Sequence, residues 1–289
     1  MRRELTFLEA ASLVMGAGVG GGIMAVPYLA SQAGFLAFLP VVIVAYLANL
    51  VLHLMLVEVL FRDGRDLQVV ELIRSYVFPG KIGAAAIWIF FGVLLVAFVA
   101  NLTAYISGAG EILADLTGIP LTVARLAVYA LSAAIVFLGL KVIGISEKIA
   151  AYGTAVIIVV ILAGVARTRF SFPVGIVGGT REGLALFGMV MYSLYSFFAV
   201  PQVVKGLGRD PRRIVAAVTV GLGWNALLIV FFTVISMGVS TLVTGVAISG
   251  IGDATGRFVD LAGSVFVIVA MLSSYWSISL ALSDIIHER

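Results

Sequence analysis

Apolar positions along this chain neither alternate nor keep to one helical face. They fill uninterrupted runs of about 20 to 30 residues separated by short polar stretches. Runs of that length cross a bilayer's hydrocarbon as helices, whereas barrel strands would show a period of two. The pattern predicts eight spans, at 6–30, 35–61, 82–114, 121–140, 146–166, 183–206, 212–240 and 258–286. Between the second and third, "RDLQVVELIRSYVFPG" (65–80) spaces Leu67, Val70, Ile73 and Val77 as a helix does, beneath charged neighbours. That predicts a short helix, lying on the inner membrane surface or forming an ordinary loop helix. The third span carries no charge from Ile82 to Gly110, 29 residues or about 43 Å of helix, and is expected to tilt steeply.

Composition agrees with an integral membrane protein: 62% of the 289 residues are hydrophobic and 11% charged, and the mean hydropathy is +1.18. No cleavable leader is expected ahead of the first span. The absence of cysteine excludes disulfides, thiolate metal sites and a cysteine nucleophile. The net charge of +3 reflects loop position, with no nucleic-acid face implied. With the N-terminus inside, thirteen Lys and Arg fall on inner segments and five on outer ones, so both termini are expected to be cytoplasmic. Against this, Arg167, Arg169 and Arg181 of the 167–182 loop would face outward.

One stretch of the first span is built to resist helix. "GAGVGGGIMAVP" (16–27) has five glycines in the seven residues from Gly16 to Gly22, and each disfavours helix by about 1 kcal/mol relative to Ala. Backbone freed there must find partners, because an unsatisfied amide in hydrocarbon costs several kcal/mol, so irregular backbone survives only around a protein-walled cavity. Pro27 would then sit in the first turn of a second half-helix. The amides of Gly20, Gly21 and Gly22 would point at an anion such as a carboxylate. The competing reading is a packing face, since Gly16/Gly20 and Gly18/Gly22 each form a GxxxG pair.

The sixth span repeats the theme with other residues. "YSLYSFFAVP" (192–201) places hydroxyls and aromatics just before a proline, so a break there would offer carbonyls, Ser193, Ser196 and aromatic walls to the same cavity; a plain aromatic packing helix is the alternative. Ala25-Val26-Pro27 matches Ala199-Val200-Pro201 at an offset of 174 residues. Five spans precede the second copy, so the two copies enter the membrane from opposite sides, as in an inverted repeat.

"GGGIMAVP" resembles the Gly-x-Gly-Ile/Met-Leu-x-x-Pro signature of the amino acid/auxin permease family. "PQVVKGLGRDPRRI" (201–214), "AYISGAGEIL" (104–113) and "SYWSISLALSD" (274–284) resemble segments of its aromatic and hydroxy amino acid permease branch. The resemblance implies an all-α integral membrane fold of five-plus-five inverted repeats with broken first and sixth helices. It divides a single membrane domain, 1–289, into a first repeat at 1–168 and an incomplete second repeat at 181–289. That fold has ten spans, so an eight-span chain reads as shortened by two.

Function follows from the same resemblance: secondary active transport of an amino acid by alternating access, coupled to protons or sodium, in the cytoplasmic membrane of a prokaryote. The substrate carboxylate would meet Gly20, Gly21 and Gly22, with Gly18 also at the substrate, and the side chain would lie among Tyr105, Tyr192, Ser193, Tyr195, Ser196 and Phe197. In sodium-coupled relatives of the wider fold, an eighth-span serine pair joins first-span carbonyls around the ion. Here that pair is Ser273 and Ser274, with Met15 and Gly18. No other cofactor is expected.

The remaining polar residues are read one by one. No carboxylate can be assigned to the cavity. His53, with Asn49 one turn before it, lies in a span peripheral to the inferred site and is read as a hydrogen-bonded structural histidine rather than a proton carrier. Glu9 either pairs with a basic residue at an inner gate or is solvated at a helix end. Asn101, Tyr105 and Gly108 share one face of the third span; Glu111 and Asp115 sit at the outer interface. An enzyme is not expected, because the spans offer no acid, base and nucleophile set. Two alternatives stay open: a solute carrier for a substrate other than an amino acid, and a truncated membrane protein that does not transport.

Overall fold

The computed structural model describes residues 4–20, 22–65, 67–171, 178–239, 243 and 255–288, and among these it contains helices and turns with no strand. The helices are α1 (Phe7–Val19), α2 (Gly22–Ala33), α3 (Phe35–Asp63), α4 (Val69–Tyr76), α5 (Gly80–Thr117), α6 (Leu121–Phe137), α7 (Leu140–Val165), α8 (Thr180–Ser193), α9 (Val200–Gly206), α10 (Pro211–Val239) and α11 (Arg257–His287). A 3₁₀ turn at Phe197–Ala199 precedes α9.

Six stretches are long and apolar enough to cross a membrane: Phe35–Asp63, Ala85–Thr117, Leu140–Val165, Thr180–Gly206, Pro211–Val239 and Arg257–His287. The α1/α2 pair, bent by 54°, makes a seventh if taken as one span, and α6 is apolar but shorter, at 17 residues. The large side chains of α5 show where lipid belongs. Trp88, Ile89, Val93 and Val96 are each more than half exposed, which satisfies an apolar solvent and would be penalised in water.

At the centre lies α1, in which every residue from Glu9 to Gly16 is buried. It packs against α7, α10 and α11, while α2 packs against α8 and α10. Small residues allow this approach. Gly221 of α10 sits against the Ala11 carbonyl and Val14, where an added Cβ would come within 2.6 Å of the carbonyl oxygen.

The N-terminal end of α1 is fastened tightly. Thr6 and Glu9 form a capping box, the Glu9 amide donating to Thr6 Oγ1 (3.3 Å) and the Thr6 amide to Glu9 Oε2 (2.9 Å). The Glu4 and Leu5 amides both donate to the Gly206 carbonyl at the end of α9, and Leu5 fills the space left by Gly144 and Gly206. Lys141 and Lys148 of α7 then donate to Glu9 at 2.7 and 3.2 Å, so Glu9 takes the ion-paired of its two readings.

Two expectations need correction here. The helix within 65–80 spans only Val69–Tyr76; Val69, Val70 and Leu72 are buried while Val77 is exposed. Pro27 lies inside α2, five residues beyond its first residue, and so removes an amide from the interior of the helix. The break falls earlier, because the glycines at 20–22, and not the proline, set where the second half-helix can begin.

Candidate functional site

Each break frees backbone groups, and side chains from neighbouring helices satisfy them. At the first, the Ser274 hydroxyl donates to the Gly16 carbonyl and accepts from the Gly20 amide, both at 2.9 Å. One fully buried serine thus ties α1 to the start of the break. Gly20 has no room for a side chain, since a Cβ would lie 2.7 Å from the Ser274 hydroxyl and 2.8 Å from that of Tyr105.

At the second break, α8 stops at Ser193 and the chain resumes helical form at Phe197. The Ser193 carbonyl accepts from Asn225 Nδ2 (2.7 Å), a fully buried amide of α10. The Ser196 amide donates to His53 Nε2 (3.1 Å), and His53 Nδ1 donates in turn to the Asn49 carbonyl (2.6 Å), which fixes the neutral tautomer. The Ser196 hydroxyl crosses to the first span and donates to the Val14 carbonyl at 2.6 Å. In hydrocarbon these bonds are required, not decorative. Pro201 falls in the first turn of α9, where its missing N–H costs nothing.

Between the breaks lies a cavity of about 490 Å³ walled by α1, α2, α3, α5, α8, α11 and the 194–199 segment. Leu52, Leu94, Phe98, Met191, Phe198 and Ile278 make it largely apolar. A polar strip runs down one side, where Tyr192 donates its hydroxyl to Asn101 Oδ1 (2.7 Å) and Tyr105 and Asn49 stand alongside. Of the residues expected at the substrate, Gly18, Gly22, Tyr105, Tyr192, Tyr195 and Ser196 line this cavity.

The others lie elsewhere. Gly20 has its amide occupied by Ser274, and Gly21 lies outside the described residues. Ser193 is buried with its hydroxyl donated to the Met189 carbonyl. Phe197 turns away to meet His53 edge-on at 5.6 Å and stacks with Tyr195 at 5.9 Å.

Of the four residues expected at sodium, Ser273 and Ser274 both reach Gly16 of α1, the first lying where a Cβ would fall and the second donating to its carbonyl. Gly18 faces Asn225, the Ser193 carbonyl and the Ser196 hydroxyl. Met15 lines a separate pocket with Lys148 and Trp224. Ser274 bridges the break, and the Ser273 hydroxyl donates to Glu147.

Sequence reading missed two residues, and it read a third, His53, correctly as a hydrogen-bonded structural histidine but placed it away from the site. Glu147, fully buried on α7, overturns the expectation that no carboxylate reaches this region; it accepts from Ser273 and from Ser277, and Ser277 is a wall of the cavity. The fifth-span pattern "GISEKIA" gave only a weak signal, a charge pair near a helix end that reads as solvated. Asn225 showed as an isolated amide in "GLGWNALL", and its Oδ1 has no partner. His53 was read as peripheral, yet α3 packs on both α8 and α9 and brings the imidazole onto the broken segment. His53→Leu, similar in volume but without the acceptor, is expected to cost about 1–3 kcal/mol of stability. Thermal unfolding measures it, and an unchanged midpoint would show that the Ser196 amide does not need this bond.

The comparison with curated proteins returns no match. The family model described as the tryptophan/tyrosine permease family matches residues 3–289. Two interrupted helices facing one membrane-embedded cavity, together with a match over nearly the whole length, make this chain a membrane-spanning amino acid transporter that belongs to the tryptophan/tyrosine permease family.

Proposed function

We propose that the chain carries an aromatic amino acid across the cytoplasmic membrane by alternating access, driven by a proton or sodium gradient. The observation that carries this reading is the cavity of about 490 Å³ where both breaks meet, at the low end of the range for small-molecule sites. Bare backbone at Gly18 and Gly22 suits the substrate's carboxylate and ammonium groups. The apolar walls suit a ring, and the Asn101–Tyr192 strip suits a ring bearing one polar atom, an indole N–H or a phenol. The fastening of α1 by Glu9, Lys141 and Lys148 closes the inner end in this conformation, and its release opens the cavity to the other side. The apolar lining offers no carboxylate to a free amine and no acidic cluster to a metal ion, which disfavours those cargoes.

Thermal unfolding of the purified protein with single amino acids tests this, because a ligand bound to the folded state alone raises its midpoint. Tryptophan or tyrosine is expected to stabilise and glutamate is not. Tyr192→Phe, which loses the bond to Asn101, is expected to weaken the bound aromatic about 3- to 10-fold. No shift with any amino acid in folded protein would reject the reading.

A further inference from the structure

We infer that Glu147 is the anionic anchor of a monovalent-cation site between α1, α7 and α11, sharing one hydroxyl with the wall of the substrate cavity. This rests on the transport reading above and names where its driving ion is held.

Glu147 is fully buried, eight residues into the membrane span of α7. Its two oxygens are divided between two α11 hydroxyls, Ser273 donating to one and Ser277 to the other at 3.1 Å. Gly16 of α1 completes the enclosure, since a Cβ there would overlap both the carboxylate and the Ser273 hydroxyl. Glycine is what allows the α1 backbone to lie against the acid.

Every other charge on the surrounding helices is placed elsewhere. On α1 the described acid is Glu9, and it holds Lys141 and Lys148 of α7. Arg125 of α6 pairs with Glu111. Lys205 of α9 and Arg257 at the start of α11 are exposed, and on α11 Asp260, Asp284 and His287 fall toward the helix ends, with Tyr275 the titratable residue nearest the serines in sequence. Among the described residues, no Lys, Arg or His pairs with Glu147. A buried carboxylate with hydroxyl donors alone bears an uncompensated charge in a low-dielectric medium, a large penalty that one positive charge removes. Both of its hydrogen-bond partners are hydroxyls, and the described residues contain no cluster of three metal-ligating groups. That suits a charge of one, and hard oxygen donors suit sodium or a proton rather than a transition metal.

The coupling route is short. Ser277 touches both Glu147 and the cavity. Ser273, bonded to Glu147, adjoins Ser274, which holds the Gly16 carbonyl and Gly20 amide across the first break. Neutralising Glu147 therefore bears on the geometry of the substrate site through residues in direct contact.

The test is the affinity of the purified full chain for tryptophan, measured with sodium chloride replaced by choline chloride at fixed pH, and separately across pH in choline chloride. The wild-type affinity is expected to change at least ~10-fold in one of the two arms, and the arm that responds names the ion. In Glu147→Gln the response is expected to fall below ~2-fold while tryptophan still binds. A full response persisting in Glu147→Gln overturns the inference, as does a wild-type affinity indifferent to both sodium and pH. Should Glu147→Gln fail to fold, Ser277→Ala decides, with a shift of at least ~3-fold in the sodium or proton concentration for half response expected and an unshifted response overturning the assignment. Wild-type protein that binds no amino acid rejects the transport reading itself, a different result from binding that ignores Glu147.

Discussion

Gly18→Ala is expected to reduce amino-acid binding about 10- to 100-fold, out of proportion to the single methyl added. A Cβ at Gly18 would lie 2.9 Å from both the Ser193 carbonyl and the Ser196 hydroxyl and would overlap Asn225 Nδ2. None of the three can move freely, because Asn225 is bonded to the Ser193 carbonyl and Ser196 to Val14 and His53. Overpacking in so constrained a place costs about 1–3 kcal/mol, which corresponds to the stated range in affinity. The strain falls on the residues that set the distance between the two breaks. Gly92→Ala on α5 is the control, since nothing lies within 4 Å of a Cβ there. Equal affinities for the two variants in equilibrium tryptophan binding would show that the breaks do not form the site.

The second large effect concerns the N-terminal end of α1. Glu9→Ala removes the acceptor for Lys141 and Lys148 and half of the capping box. Removing one partner of a buried pair costs about 3–5 kcal/mol. Here the lysine side chains are 48% and 30% exposed, so screening reduces the effect to about 1–3 kcal/mol. Under the proposed alternating access those bonds hold the inner end closed, so their loss is expected to shift the population toward the open form. The chain has no cysteine, so Ala17→Cys introduces a single thiol in the cavity wall. Maleimide added from the inner side is expected to label that thiol about 5- to 10-fold faster when Glu9→Ala is also present. An unchanged rate would mean that the Glu9 pairs are not a gate.

The sequence and the structure agree where one strong physical effect decides the outcome. Hydrocarbon demands long apolar helices, and the boundaries of α3, α10 and α11 fall within two residues of the apolar runs. Glycine density marked the first break, and hydroxyls before Pro201 marked the second. Pairing across the bundle was not legible. His53, Asn225 and Glu147 lie on three helices whose rotation about their own axes is set by packing, and an all-round apolar helix leaves no periodicity from which to read it. Ser273 and Ser274 are adjacent in sequence but face different partners, the first Glu147 and the second the break. Which partner each serine takes is set by the rotation of α11, which the sequence does not show. The substrate residues show the same limit, since residues of the 192–197 stretch divide between cavity and core according to how the broken chain turns.

The central claim is that the amino acid sits between the two breaks, and protection of a single thiol tests it most directly. In Ala17→Cys protein shown to bind tryptophan, saturating tryptophan is expected to slow maleimide labelling about 10-fold or more, while Arg62→Cys at the exposed polar end of α3 reacts at the same rate with or without it. Labelling of Ala17→Cys that is unaffected by bound tryptophan would contradict the account and place the substrate elsewhere.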